Sequence, residues 1–293
     1  MEMTALEHYQ SVRAQLEQAG IEAAALEARE LCAKVFSLDR RSIRGWNAVQ
    51  PDEAQCARLR DLCGRRLAQE PLAYLLGEWD FYGMTFAVTP DVLIPRGDTE
   101  WLCDAACTEA KAISRPRILD LCCGSGCIGI VLAKQLPRAE VVGMDISRAA
   151  LAVTQKNAER HQVSNYRAVY GDARTADGQE QYDLIVSNPP YITAQEMEEL
   201  DESVRSYEPH LALYGGEDGL DFYRDIIRAW KPHLKPGGWL MFECGWKQGE
   251  AVAELMRVHG YSDVEIRRDL SGIGRIICGR QTQTEGSAAG QIE

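Results

Sequence analysis

The sequence predicts an α/β protein in which a doubly wound parallel sheet follows a small helical bundle, with a β-hairpin joining the two. Three observations lead there. Short apolar runs at residues 117–121, 140–145 and 183–187 alternate with helical patterns, the order expected of parallel strands linked by crossover helices. A glycine turn, Gly124-Ser125-Gly126-Cys127-Ile128-Gly129, stands between the first of those runs and a helix. Residues 1–75 carry helix start and stop signals and no strand pattern.

Taken in order, Thr4 followed by Glu7 reads as a capping box for a helix over 5–18, closed by Gly20. A second helix is expected over 21–35, with Leu26, Leu31 and Val35 on its apolar side, and a third over 51–69. Pro71 opens a short helical turn that Gly77 ends. The aromatic and β-branched pattern from Trp79 onward, broken by Gly83, predicts the hairpin, and Asp98 or Thr99 is placed to cap the helix after it. The expected organisation is therefore a bundle at 1–75, a hairpin linker at 76–97, the sheet domain at 98–281 and a disordered tail at 282–293, which is rich in Gly, Ser, Ala and Gln. Within the sheet domain, strands are expected at 117–121, 140–145, 166–170, 183–187 and 239–244, and the last two, at 263–269 and 275–280, form an antiparallel pair. Ser147 is expected to cap the helix after the second of these strands.

A chain of 293 residues with 45% hydrophobic content can bury a sizeable core. Its 32 basic and 44 acidic residues leave a formal charge of -12, which disfavours unspecific adhesion to nucleic acid or an anionic membrane. Arg58, Arg60, Arg65 and Arg66, with Arg40, Arg41 and Arg44 before them, form either a local basic face or a solvated helix surface. The ten cysteines have no disulfide rhythm and read as reduced thiols; Cys122, Cys123 and Cys127 lack a second pair at ligand spacing, so no metal is expected. An acidic start and the lack of any run long enough to span a bilayer predict a cytoplasmic protein without membrane contact.

Chemistry concentrates at the ends of the predicted strands. The glycine turn with Asp145 about twenty residues further on matches a dinucleotide site, though the same geometry serves any adenosine cofactor. Asp120 stands before the turn, where a pyrophosphate must tolerate its charge but a cationic sulfonium or amino group is favoured; otherwise it caps the turn. Asp172, after the next strand, can accept from an adenine amino group or cap its own turn. The run Tyr182-Asp183-Leu184-Ile185-Val186-Ser187 ends in Asn188-Pro189-Pro190-Tyr191, a stiff loop because two prolines forbid both helix and ladder. The Asn188 amide oxygen and the Pro189 carbonyl can accept from an NH2 group, and Tyr191 can cover a flat substrate. Acceptors of this kind hold a poorly nucleophilic amide or aromatic amine in line for attack on a sulfonium methyl.

Three stretches together resemble one family: Phe81-Tyr82-Gly83 leading to Ile94-Pro95-Arg96-Gly97-Asp98-Thr99-Glu100, then Asp120-Leu121-Cys122-Cys123-Gly124-Ser125-Gly126, then Asn188-Pro189-Pro190-Tyr191-Ile192. They are similar to the protein-(glutamine-N5) methyltransferases that act on peptide chain release factors, within the class I S-adenosylmethionine-dependent methyltransferases. The resemblance implies a Rossmann-like seven-stranded sheet and methyl transfer to the glutamine of a Gly-Gly-Gln loop, leaving S-adenosylhomocysteine. It implies that Asp120, Cys122, Gly124, Gly126, Asp145, Ile146, Asp172, Ala173 and Asn188 hold the cofactor. It further implies that Asn188, Pro189, Pro190, Tyr191, Arg96 and Glu100 meet the substrate, with Asn188, Pro189 and Tyr191 at the reacting amide, and that the bundle helps hold the release factor. Relatives commonly have Pro at Gly97 and Gly at Cys122, which loosens one turn and places a Cβ in the other. A monomer without a DNA partner is expected. The rival activities are an amino-group methyltransferase on DNA or RNA, which needs a basic cleft, and a nicotinamide oxidoreductase, which leaves the loop at Asn188 unused. A catalytically silent binding protein is the alternative outside the enzymes.

Overall fold

The computed structural model describes residues 3–268 and 272–282, so the tail expected from 282 onward and the last position of the strand expected at 263–269 lie almost wholly outside the described residues. The chain divides into two compact units, one ending at Trp79 and taking in Asp201–Tyr207, the other made of Asp80–Leu200 and the chain from Glu208 onward.

The first unit is built from Ala5–Gln18 (α1), Ala24–Phe36 (α2), Glu53–Leu67 (α3) and the short Leu72–Leu76 (α4). Thr4 and Glu7 exchange the two bonds of a capping box at the start of α1, and Asp52 with Gln55 do the same for α3. Leu16, Leu31, Trp46 and Leu59 fill its core. Leu26 is 48% exposed, contrary to the expected apolar side. The buried seam of α2 runs through Ala24, Ala28, Leu31 and Val35, and Leu26 falls between its rows. Arg66 belongs to no basic face, because its guanidinium makes two bonds to Glu27, at 2.6 and 3.2 Å, and both side chains are mostly buried.

In the second unit, Glu78–Phe81 (β1), at which the chain passes from one unit to the other, and Met84–Ala87 (β2) pair as a hairpin ahead of Glu100–Ala110 (α5). There follow Arg117–Leu121 (β3), Cys127–Gln135 (α6), Glu140–Asp145 (β4), Arg148–Arg160 (α7), Tyr166–Tyr170 (β5) and Tyr182–Ser187 (β6). Ala194–Glu199 (α8) remains with this unit, whereas Glu202–Tyr207 (α9) joins the first, where the Tyr207 hydroxyl donates to Ala68 O at 2.7 Å. Asp221–Trp230 (α10), Leu234–Glu243 (β7), Gly249–Val258 (α11), Tyr261–Arg268 (β8) and Gly274–Gln281 (β9) complete the chain.

The seven strands lie in the order β5-β4-β3-β6-β7-β9-β8. The five from β5 to β7 are parallel, and β9 runs antiparallel between β7 and β8. Alternation along each strand divides the core. Ile118, Val141, Leu184 and Met241 face the side packed by α5 and α6, while Leu119, Val142, Ile185 and Leu240 face α10 and α11. The chain runs outward from β3 to β5 and then returns to β6, so the carboxyl ends of β3 and β6 flank the point where winding reverses.

Asn157 of α7 stitches the hairpin to the glycine turn. Fully buried, it accepts from Ala87 N at 2.7 Å and donates to Ala87 O and Ser125 O at 3.0 and 2.9 Å. Asn157→Ala leaves three backbone groups without a partner and is expected to cost about 2–4 kcal/mol, read as a lowered denaturant midpoint.

Candidate active site

The glycine turn is shaped by its neighbours. Gly126 adopts φ +79 and precedes α6, and a Cβ there would meet the Thr154 methyl at 2.8 Å. The Thr154 hydroxyl donates to Gly124 O at 2.6 Å, holding the turn against α7. Cys122 also has a left-handed backbone, φ 58, a strained conformation for a residue with a side chain.

Asp120 lies beneath the turn, not in the cleft above it. It is fully buried, and its Oδ2 accepts from Gly129 N at 2.9 Å, inside the first turn of α6. The start of that helix, where a dinucleotide's pyrophosphate is normally bound, is thus already met by the protein's own acid. Burial pushes Asp120 up to about 8, against the Gly129 hydrogen bond that pulls it down.

Above the turn is a cleft of about 730 Å³, part of it open to solvent. Its floor is Cys122, Gly124 and the ends of β4 to β6, and the segments 91–93 and 209–212 form its opposite wall. Asp145 ends β4 with Oδ1 accepting from Ser147 N at 2.8 Å and Oδ2 from Gly124 N at 2.9 Å. Burial raises its pKa while these amides hold it down. Ile146 and Phe222 are apolar surfaces beside Asp145 and Asp172, suited to a flat base between acids that accept from a ribose diol and an amino group. Ala173 lines the same wall and is anchored by Trp230 Nε1, which donates to its carbonyl at 2.7 Å.

Asp91, Asp145 and Asp172 are the charged residues lining this cleft, and among the described residues no Lys, Arg or His lines it. Such a surface opposes a pyrophosphate and suits a cofactor carrying a sulfonium and an ammonium group. The residues therefore fit S-adenosylmethionine, and Asp145, Ile146, Asp172 and Ala173 all line the cleft.

Asn188 meets the same cleft from the end of β6. Ser187 Oγ donates to Leu121 O at 2.8 Å, tying that strand end to β3. Asn188 Nδ2 donates inward to Thr99 Oγ1 at 3.2 Å, while its buried Oδ1 has no hydrogen-bond partner. Pro190 lines the cleft beside it, and Pro189 is buried. Tyr191 lines a separate recess with Trp246, and its carbonyl accepts from Gln248 Nε2 at 2.9 Å.

Several expected groups are placed otherwise. Thr99 precedes α5 without capping it, because its hydroxyl receives Asn188 instead. Glu100 accepts from Tyr82 N at 2.7 Å and so ties the hairpin to α5 without lining the cleft. Arg96 pairs with Glu208, whose almost fully buried carboxylate also accepts from Ile94 N at 3.2 Å. Glu208 thereby joins the two segments that wall the cleft.

A family model described as the methyltransferase small domain matches residues 105–206, and one described as the PrmC N-terminal domain matches residues 7–77. The chain is 44% identical over 270 residues to the release factor glutamine methyltransferase of Geobacter sulfurreducens, covering 92% of this chain and 93% of that one. The protein of the same name from Bordetella pertussis is also 44% identical, over 252 residues, with 86% and 93% covered. Among solved structures, a methyltransferase from Pyrococcus furiosus has a TM-score of 0.50 over 79% of this chain and 100% of that one, at 18% identity, a likeness of fold alone.

The raised pKa of Asp120 has a consequence for stability. The folded acid keeps its proton to higher pH than the unfolded chain, so its contribution is full below about 4 and is lost as pH rises through about 8. Asp120→Asn keeps the acceptor for Gly129 and removes the titration. The variant's melting temperature is expected to exceed the native one at about pH 9, with a much smaller difference at about pH 5, in thermal melts without cofactor.

Proposed function

The chain belongs to the release factor glutamine methyltransferase family, and from that premise we propose that Asn188 and the Pro189 carbonyl receive the side-chain amide of a release factor glutamine for methylation. The reaction is transfer of a methyl group from S-adenosylmethionine to the amide nitrogen (N5) of the glutamine in the Gly-Gly-Gln loop, with S-adenosylhomocysteine and one amide proton released. When bound, the cofactor supplies an electrophilic methyl on a positively charged sulfur. The chain's part is to hold the acceptor in line.

An amide nitrogen is a weak nucleophile because its lone pair is shared with its carbonyl. Two fixed oxygen acceptors, Asn188 Oδ1 and Pro189 O, take the two amide hydrogens. The nitrogen's remaining face, perpendicular to those bonds, is then turned to the methyl donor. The observation that carries this reading is the buried, unpartnered Oδ1 of Asn188 at the cleft, with the same side chain's NH2 group engaged by Thr99. The two prolines make the acceptor geometry stiff before substrate arrives. Tyr191 gives the loop an aromatic flank, and Gln248 holds its backbone.

Asp145, Ile146, Asp172 and Ala173 are proposed to hold the cofactor, while Asp120, Cys122, Gly124 and Gly126 shape the turn under it. Arg96 and Glu100 are proposed to act through the walls they brace, since both are engaged within the protein. The helical unit is proposed to engage the body of the release factor.

Radiolabelled S-adenosylmethionine is expected to mark purified release factor, but neither its Gln→Ala loop variant nor tRNA nor DNA; label on nucleic acid instead would overturn the acceptor. Asn188→Ala is expected to lower kcat about 10²–10³-fold, the scale of one preorganised polar contact, while the cofactor Kd moves only a few-fold. Asp145→Ala is expected to weaken the cofactor first. A fully active Asn188→Ala variant would sink the assigned mechanism.

A further inference from the structure

Glu243 closes β7 and is 2% exposed, and its Oε2 has no hydrogen-bond partner among the described residues. Ser187 pairs with Phe242 in the β6–β7 register, so Asn188 and Glu243 leave neighbouring parallel strands side by side. Thr99 and Asn188, joined to each other by a hydrogen bond at 3.2 Å, lie near enough to this carboxylate to favour its ionised form. A carboxyl group buried this deeply is costly, and the reaction described above makes no use of it.

Its chemistry answers a question that Asn188 leaves open. An Asn amide can be turned by 180° about its last bond, exchanging an acceptor for a donor at little cost in shape. Thr99 cannot choose between the two settings, because a hydroxyl both donates and accepts. A carboxylate chooses, because it only accepts.

We propose that Glu243 is a positioning residue: its carboxylate, with Thr99, keeps the Asn188 NH2 group turned into the protein and so aims Asn188 Oδ1 at the glutamine amide. The inference rests on the role given to Asn188 above and deepens it. Burial pushes Glu243 up to about 7; Thr99, Arg275 and Asn188 hold it down, and Asp98 pushes it up. Tyr191, Tyr223, Cys127 and Cys244 are the other titratable groups that interact with its charge. Once protonated, Glu243 can donate to Asn188 Oδ1 and turn the amide the wrong way. The ionised form is the working one, so kcat falls as pH drops through about 7.

The test compares the native chain with Glu243→Gln and Glu243→Asp in steady-state methylation of intact release factor across that pH range. Glu243→Gln keeps the shape but can donate, and is expected to lower kcat about 10- to 100-fold, with the KM for cofactor nearly unchanged and the acidic limb abolished. Glu243→Asp, still acceptor-only, is expected to recover part of the rate and retain the limb. A Gln variant that folds and keeps the native rate and pH profile overturns the inference while leaving the activity standing. If the Gln variant does not fold, the native protein decides: the Asn188 side-chain NH2 resonances, assigned by their loss in Asn188→Ala, are expected to titrate near 7, and their failure to move overturns the inference. No methylation by the native chain overturns the activity and this inference together.

Discussion

A carboxyl group supplied by the chain itself, Asp120, meets the start of α6, and the glycine turn above it is built on that bond. In the doubly wound fold, the first crossover helix points its free amides at the ligand and so favours a phosphate. Here Asp120 takes the Gly129 amide from below. The turn above keeps the close backbone approach that glycine allows, but one amide of the helix start is already taken and the acids lining the cleft, Asp91, Asp145 and Asp172, oppose a phosphate. A spacing that reads equally as a dinucleotide fingerprint thus lies beside a cleft whose lining suits a cation-bearing nucleoside better than a pyrophosphate.

The cleft continues that logic along the sheet edge. Asp145 ends β4, Asp172 and Asn188 follow β5 and β6, and parallel register brings the carboxyl ends of these strands to one side. The formal charge of -12 is thus not only a matter of the surface, since the cleft is lined by acids. The opposite wall depends on Glu208, which gathers Ile94 and Arg96. The family resemblance is what implies Glu100 and Arg96 as substrate groups. Each is engaged by a partner within the chain, Arg96 by Glu208 and Glu100 by the Tyr82 amide.

The parts legible in the sequence are those whose cause is local. The capping box at Thr4, the Ser147 cap, the strand ends at Asp145 and Asn188 and the glycine turn all depend on residues a few positions apart. The antiparallel pairing of β8 with β9 was also legible, but not the insertion of β9 beside β7, which depends on which sheet edge the chain reaches. Arg96 and Glu208 are 112 residues apart, and no periodicity announces their pairing. Leu26 failed for the opposite reason: it is apolar and falls within a helical pattern, but the seam passes it by. Glu243 closes a run that reads simply as a buried strand, and only the register beside Ser187 gives its carboxylate a neighbour worth orienting.

Asp120 and Glu243 are both buried acids with raised pKa values, yet protonation matters differently to each. Asp120 has one oxygen on the Gly129 amide and needs only an acceptor there; its protonated form can still accept on that oxygen while carrying the proton on the other. Glu243 must be ionised to tell the two ends of the Asn188 amide apart. For each, folding is most favourable when the proton is present, because the charged form is the one that burial penalises. As pH rises, the fold therefore loses the stability these acids contribute while the Asn188 acceptor becomes better defined. Replacing Glu243 with a neutral side chain would relieve the burial cost and surrender the orientation. A buried group that burdens the fold in the state that serves catalysis follows the pattern expected of a residue retained for geometry, not for packing.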